Sequence, residues 1–202
     1  MFTKEIIEKY IEYVCIYRVK SWYKEISLIE EVKETEDELR NKYSNKGGIS
    51  AWLAEKLEMN LIDLGNLESD NNIMNEKAKI DKLFKNQFTE ERKNGFGSFK
   101  DFYEWYIKQE DRCFYCDISS ETLKLLFDSQ KLSSTKFNST LHIERLNPKE
   151  KYSKENCRLA CSLCNNTKSD LISKANYKKY FAATMSEFLS DLQNNKIENN
   201  TF

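Results

Sequence analysis

Two Cys-x-x-Cys pairs constrain this chain more than any other feature. Cys113/Cys116 and Cys161/Cys164 are separated by 44 residues. Four thiolates complete the tetrahedron that structural zinc prefers, so a fold that uses them must return a distant segment to the first pair. The first pair suits a knuckle turn. The second suits the first turn of a helix, where backbone amides help stabilise thiolate. Four buried or redox cysteines are the competing reading. Cys157, one strand-length before the second pair, reads as a core residue rather than a fifth ligand. Cys15 reads as a core thiol on the apolar face of the first helix.

The compartment bears on this choice. The opening MFTKEIIEKYIEYV carries acids inside its apolar pattern, unlike a signal peptide. No run approaches the roughly 18–20 apolar residues that cross a membrane. The expectation is a cytoplasmic protein with no membrane contact. There, paired cysteines are metal ligands more often than disulfides.

Most of the chain has helical periodicity. One proline and five glycines leave few sharp turns, and 13% aromatic residues argue for packed cores. Phe2, Ile6, Ile7, Tyr10, Ile11, Tyr13, Val14 and Tyr17 recur at three- and four-residue spacings, and a second helix is predicted from Trp22 to Leu39. These tyrosines and Trp22 suit core packing, with a partner-binding stripe as the alternative. SNKGG at 44–48 is a break, followed by a helix over 51–64 capped by Ser50, a polar loop over 66–75 and a helix over 76–92. NGFG at 94–97 marks the expected boundary between a helical N-terminal region, 1–96, and a C-terminal domain, 97–202. Beyond it, a helix runs from Ser98 to Cys113 and a short one covers 119–129. Residues 131–139 are a polar loop, 140–146 a strand, and 152–159 a return strand. A helix from Cys161 to Ile172 and an amphipathic helix over 174–195 complete the pattern.

Charge is uneven. Residues 1–96 carry 16 basic and 19 acidic side chains, a net of −3; residues 131–179 carry 11 basic, Lys131 and Lys136 among them, and 4 acidic, a net of +7. A local basic surface suits a phosphate backbone, and a solvated lysine-rich surface is the alternative. The same stretch holds the single histidine, His142, and the single proline, Pro148.

In their order and spacing, these residues resemble the HNH nuclease family, the ββα-metal endonucleases. Glu144-Arg145-Leu146-Asn147-Pro148 matches the first strand of that motif, and Asn156 matches the asparagine of its return strand. Cys161-Ser-Leu-Cys164-Asn165-Asn166-Thr167-Lys168 matches its helix, and Cys113-Phe-Tyr-Cys116 its leading zinc knuckle. The Ile143-Glu144-Arg145 run resembles a variant form of the motif. The resemblance covers about residues 98–172. It implies an α+β fold class: a mainly helical chain with a C-terminal, treble-clef-like ββα-metal module around a four-cysteine zinc site.

The resemblance also implies a DNA endonuclease, with RNA as the alternative substrate, that uses a catalytic divalent ion. A hard cation such as Mg²⁺ or Mn²⁺ takes oxygen ligands, which Glu144 and Asn165 can supply. His142 can serve as general base or metal ligand. Asn156 would hold the loop or orient the base, and Lys168 and Arg145 would contact phosphate. One departure is plain: Arg145 stands where the family carries its base, and an arginine cannot accept a proton. On a strand, His142 falls on the same face as Glu144. Zinc held by four sulfurs has no open position, so it is structural. A catalytically silent zinc module that binds nucleic acid or protein is the second reading, and a redox protein the third. The N-terminal helices would dimerise, bind DNA or dock a partner. By analogy alone, small nucleases with helical extensions belong to restriction or anti-phage systems.

Overall fold

A computed structural model describes residues 2–19, 23–133 and 137–198, so Trp22 and Lys136 lie outside it. The chain divides into two compact units. One is built from the residues up to Thr89 together with Ser98–Tyr103, the other from Glu90–Gly97 and the residues from Glu104 onward. The described chain is mostly helical, with a small two-stranded antiparallel sheet.

In the first unit, α1 (Lys4–Ile11) continues into a π-helical turn over Glu12–Ile16. Then come α2 (Tyr23–Ser27), α3 (Glu36–Tyr43), α4 (Ile49–Lys56), α5 (Leu61–Glu68) and α6 (Asn71–Gln87). The helix expected over 76–92 ends at Gln87, and three further segments differ from the sequence expectation because a cap restarts a helix. The acidic run at 36–38 begins α3 rather than ending a longer helix. The Glu38 amide donates to Thr35 Oγ1 at 3.3 Å and the Thr35 amide to Glu38 Oε2 at 2.8 Å, a capping box. That arrangement also sets negative charge at the positive end of the helix dipole.

The single helix expected over 51–64 is split, because Glu58 adopts a left-handed φ of 54° and Asn60 caps α5 through the Asp63 amide. The polar stretch 66–75 is largely helical, since Asp70 accepts from the Asn72 and Ile73 amides and starts α6. Tyr10, Ile26, Leu39, Trp52, Leu64 and Leu67 form the centre of the core. Tyr13 meets the Trp52 ring edge-on at 5.0 Å, and Cys15 is buried. Tyr10, Tyr13 and Tyr17 all pack in or against this core.

The second unit contains α7 (Glu90–Phe96), the last residues of α8 (Phe99–Ile107), and α9 (Ser120–Asp128). The strands β1 (Leu141–Arg145) and β2 (Cys157–Cys161) follow, then α10 (Ser162–Lys168) and α11 (Lys174–Tyr177). A π-helical turn over Lys178–Ala182 leads into α12 (Ala183–Gln193). The strands are antiparallel, with Glu144 opposite Arg158 and Arg145 opposite Cys157. β2 begins at Cys157, later than the Tyr152–Leu159 strand expected from sequence, because the preceding residues are held in a loop. α10 packs against both strands, and α12 against α9. Tyr177 is buried against Tyr115, with ring centres 4.9 Å apart, and its hydroxyl lies 2.5 Å from Thr167 Oγ1. Lys131 is not a free surface charge: its ammonium donates to the Leu192 carbonyl at 2.9 Å, at the C-terminal end of α12 where a cation suits the helix dipole.

One close approach ties α7 to the loop between the strands. A Cβ on Gly95 would lie 1.8 Å from the Tyr152 carbonyl oxygen. The atom it meets is backbone, which cannot rotate aside. Gly95→Ala is therefore expected to destabilise this unit by at least the ~1–3 kcal/mol typical of overpacking. Thermal melting checks this; a variant that melts with wild type shows that the contact is slack.

Candidate functional site

The four cysteines of the two Cys-x-x-Cys pairs meet. Their sulfurs lie within 4.8 Å of one another and all four residues are buried; among the described residues no other group of three or more His, Cys, Asp or Glu side chains converges in this way. Local structure on each side explains the convergence. On the first, the Asp117 amide donates to the Cys113 carbonyl and the Cys113 amide to the Ile118 carbonyl, both at 2.9 Å, which closes the knuckle. Asp117 sits at a left-handed φ of 62°, and a two-point ion pair with Arg112 at 2.8 and 2.9 Å holds it there. The Phe114 amide then donates to the Leu159 carbonyl at 2.8 Å, fastening the knuckle to β2. On the second side, Cys161 is both the last residue of β2 and the N-cap of α10, and its sulfur accepts from the Cys164 amide at 3.4 Å.

The donor set fits zinc. Cys116 and Cys161 sulfurs are 3.8 Å apart, too far for a disulfide at about 2.05 Å. That spacing equals the edge, about 3.8 Å, of a tetrahedron with zinc–sulfur bonds of about 2.3 Å. The thiol chemistry points the same way. S–H groups of Cys116, Cys161 and Cys164 hold the Cys113 thiol far below the ordinary range. Hydrogen bonding to Cys113 pushes Cys161 and Cys164 far above it. A cluster that gives up one proton readily and resists losing more is one that a dication would complete.

The loop from β1 to β2 is organised by Asn156, which is buried. Its Oδ1 accepts from the Asn147 amide at 2.9 Å, and its Nδ2 donates to the Asn147 and Lys151 carbonyls at 3.0 Å. The Leu146 amide donates to the Asn156 carbonyl at 2.8 Å. Asn156 is thus the staple of the loop, with both of its side-chain N–H groups and one lone pair of its oxygen used in these bonds.

Glu144 and Lys168 are placed in a way the sequence did not suggest. The Lys168 side chain is fully buried and its ammonium lies 2.6 Å from Glu144 Oε1, itself nearly buried. Lys168 also donates to the Ser169 and Arg145 carbonyls at 3.2 and 3.4 Å. Its expected contact with a phosphate is replaced by an internal ion pair, because α10 packs this face onto the strands. Burial raises the Glu144 pKa above its ordinary value, and Lys168 pulls in the opposite direction. Oε1 meets this ammonium without a well-aligned hydrogen bond, so the carboxylate's charge is countered inside the fold by Lys168.

His142 is half-buried. Its Nε2 lies 3.1 Å from Asn138 Oδ1, the same oxygen that accepts from the Thr140 amide at 3.0 Å. An oxygen accepts, so Nε2 carries the proton and Nδ1 the lone pair. Burial, then the charge of Arg92, lower the pKa of the ring, which favours neutral imidazole. Asn165 is half-buried on α10. Arg145 is half-buried and stacks on Tyr152, 4.9 Å from the ring centre. Arg92 on α7 stacks on the same ring at 5.2 Å. Sequence reasoning passed over Arg92, which lies outside the motif; the only hint was the Gly95 one turn beyond it.

No protein-family model matches the sequence, and no curated protein does. Among solved structures, the rare-cutting HNH restriction endonuclease PacI, a structure described for its mechanism of DNA perturbation, aligns at 26% identity with a TM-score of 0.38. The alignment covers 45% of this chain and 63% of that one.

Two outcomes are expected from this geometry. The purified chain should hold zinc, measured by elemental analysis, and Cys164→Ala should lose it together with the folded second unit. Lys168→Met should destabilise by about 3–5 kcal/mol, because it strands a buried carboxylate. The double variant Glu144→Leu/Lys168→Met should recover most of that loss in a denaturant titration. Recovery absent from the double variant would show that the pair is not the cause.

Proposed function

We propose that this chain is a metal-dependent nuclease of the HNH type, acting on DNA through the hairpin and helix of its second unit. The observation that carries this reading is the buried Glu144 carboxylate. It lies on the first strand of a strand–strand–helix run, with one oxygen set against a positive charge and no aligned hydrogen bond. The donors fit a hard cation, since Glu144 and the side-chain oxygen of Asn165 are both oxygen ligands. Magnesium or manganese bound by them would stabilise charge on a scissile phosphate and its leaving oxygen.

The chain's own groups take the remaining roles. His142, neutral and with its Nδ1 lone pair available, accepts a proton from the attacking water. Arg145 offers fixed positive charge to phosphate. Asn156 holds the loop that follows the strand carrying both. Lys168 neutralises Glu144 and anchors α10 on β1. The zinc held by the four cysteines is structural, because four sulfurs leave no open coordination position. The first unit supplies an interaction or targeting surface, by self-association or by docking a partner, and a restriction or defence role is consistent with that division.

A second reading is a catalytically silent module that binds nucleic acid. The Glu144–Lys168 pair favours it, since Lys168 already neutralises the carboxylate.

Plasmid DNA incubated with the protein and Mg²⁺ or Mn²⁺ separates the two. Cleavage is expected, reduced about a hundredfold or more in His142→Ala and abolished in Asn165→Ala, while zinc content and melting stay near wild type. Binding without cleavage would favour the silent module. Equal cleavage by wild type and both variants would remove these residues from the chemistry.

A further inference from the structure

We propose that Asn138 is a positioning residue for His142, and that Ser162, on the helix carrying the second cysteine pair, holds Asn138 in place. The proposal rests on the nuclease reading above and names the groups that decide which nitrogen of its base is left to take a proton.

The oxygen of the Asn138 side-chain amide is identified by its donors. It accepts from the Thr140 amide at 3.0 Å and from the Thr140 hydroxyl at 2.6 Å. A main-chain N–H can only donate, so this atom is Oδ1 and not the amide nitrogen. His142 Nε2 lies 3.1 Å from the same oxygen, so it donates as well. The lone pair is then on Nδ1, to which no described residue is bonded. A hydrogen bond at one ring nitrogen sets the state of the other. This one also sets the orientation of the ring, since a half-turn of the imidazole would put a C–H where Nε2–H now donates.

Asn138 is itself held at both ends. Its side chain closes an Asx turn onto Thr140, directly before β1. Its main chain is gripped by one hydroxyl: the Asn138 amide donates to Ser162 Oγ at 3.3 Å, and Ser162 Oγ donates to the Asn138 carbonyl at 3.0 Å. Ser162 is fully buried at the start of α10, between Cys161 and Cys164. One helical turn thus anchors the sulfur cluster and the residue that orients the base. When a proton passes from water to Nδ1, the ring becomes imidazolium and the Nε2–H bond to Asn138 becomes charge-assisted. The contact is stronger after proton transfer than before it, which is the difference that catalysis uses.

His142 is the only histidine in the chain, so protein labelled with ¹⁵N-histidine gives a single pair of ring-nitrogen signals. At a pH where the ring is neutral, wild type should show a protonated Nε2 and a bare Nδ1, with the widest gap between their shifts. Asn138→Ser keeps a hydroxyl for the Thr140 amide but is too short to reach His142, and the gap should narrow as the second tautomer becomes populated. Asn138→Asp still offers an oxygen and should keep the gap. Ser162→Ala leaves all four cysteines in place and should narrow it. In plasmid cleavage, Asn138→Ser should lower kcat by about three- to tenfold, the effect of one hydrogen bond, with KM unchanged. Asn138→Asp should recover most of that loss. An averaged pair of signals in wild type, or a gap and a kcat that Asn138→Ser leaves unchanged, would overturn the proposal and leave the nuclease reading standing. A wild type with the expected nitrogen signals that does not cut DNA with Mg²⁺ or Mn²⁺ would overturn the nuclease reading, and the positioning role with it.

Discussion

The convergence of four thiols from two distant segments is the constraint on which the second unit depends. The knuckle around Cys113 and Cys116 is fastened to β2 by a backbone hydrogen bond. Cys161 ends β2 and caps α10 in the same residue. Because one residue does both, the position of the sulfur cluster sets the angle at which the helix leaves the sheet. The rest of the candidate site is attached to these elements: Glu144 and His142 on β1, which pairs with β2, Asn165 and Lys168 on α10, and the Asn156-stapled loop between the strands. A dication at the cysteines would join both segments at one point, so its binding would be coupled to the folding of this unit.

Polarity in the site is divided by depth. The innermost pair, Glu144 and Lys168, is almost free of solvent and is mutually neutralising. Such a pair costs desolvation on both sides and adds little net stability; its structural effect is to fix where α10 meets β1. Further out, Arg145 and Arg158 are half-buried, bound to carbonyls and set over aromatic rings rather than against carboxylates. Burial thus selects charge pairing inside and leaves positive charge at the rim, which is the distribution a polyanion would meet. The net excess of basic residues over 131–179 is less uniform than a charge sum suggests, since Lys131 caps a helix and Lys168 is buried.

The helical unit follows a simpler rule, in which caps decide the boundaries. Thr35 with Glu38, Asn60 with Asp63, and Asp70 with the amides after it each start a helix inside a stretch that reads as continuous helix or as loop. These signals were present in the sequence as capping patterns. They were outweighed there by apolar periodicity, which identifies helix faces well and helix ends poorly.

What the sequence determined by itself was local or covalently spaced. The Cys-x-x-Cys pairs could be read as one cluster because thiolate chemistry admits few other uses for that pattern, and β1 could be read from period-two alternation. Asn156 could be read from the family resemblance as holding the loop or orienting the base, and its bonds in the structure are to loop backbone. The tertiary structure alone decided the partnerships between elements. It buried Lys168 against Glu144, where sequence offered it to solvent, because the packing of a helix face depends on what the fold lays over it. It also brought Arg92 to Arg145 over Tyr152, since a contact made possible by a missing Cβ at Gly95 leaves no periodic trace in the chain.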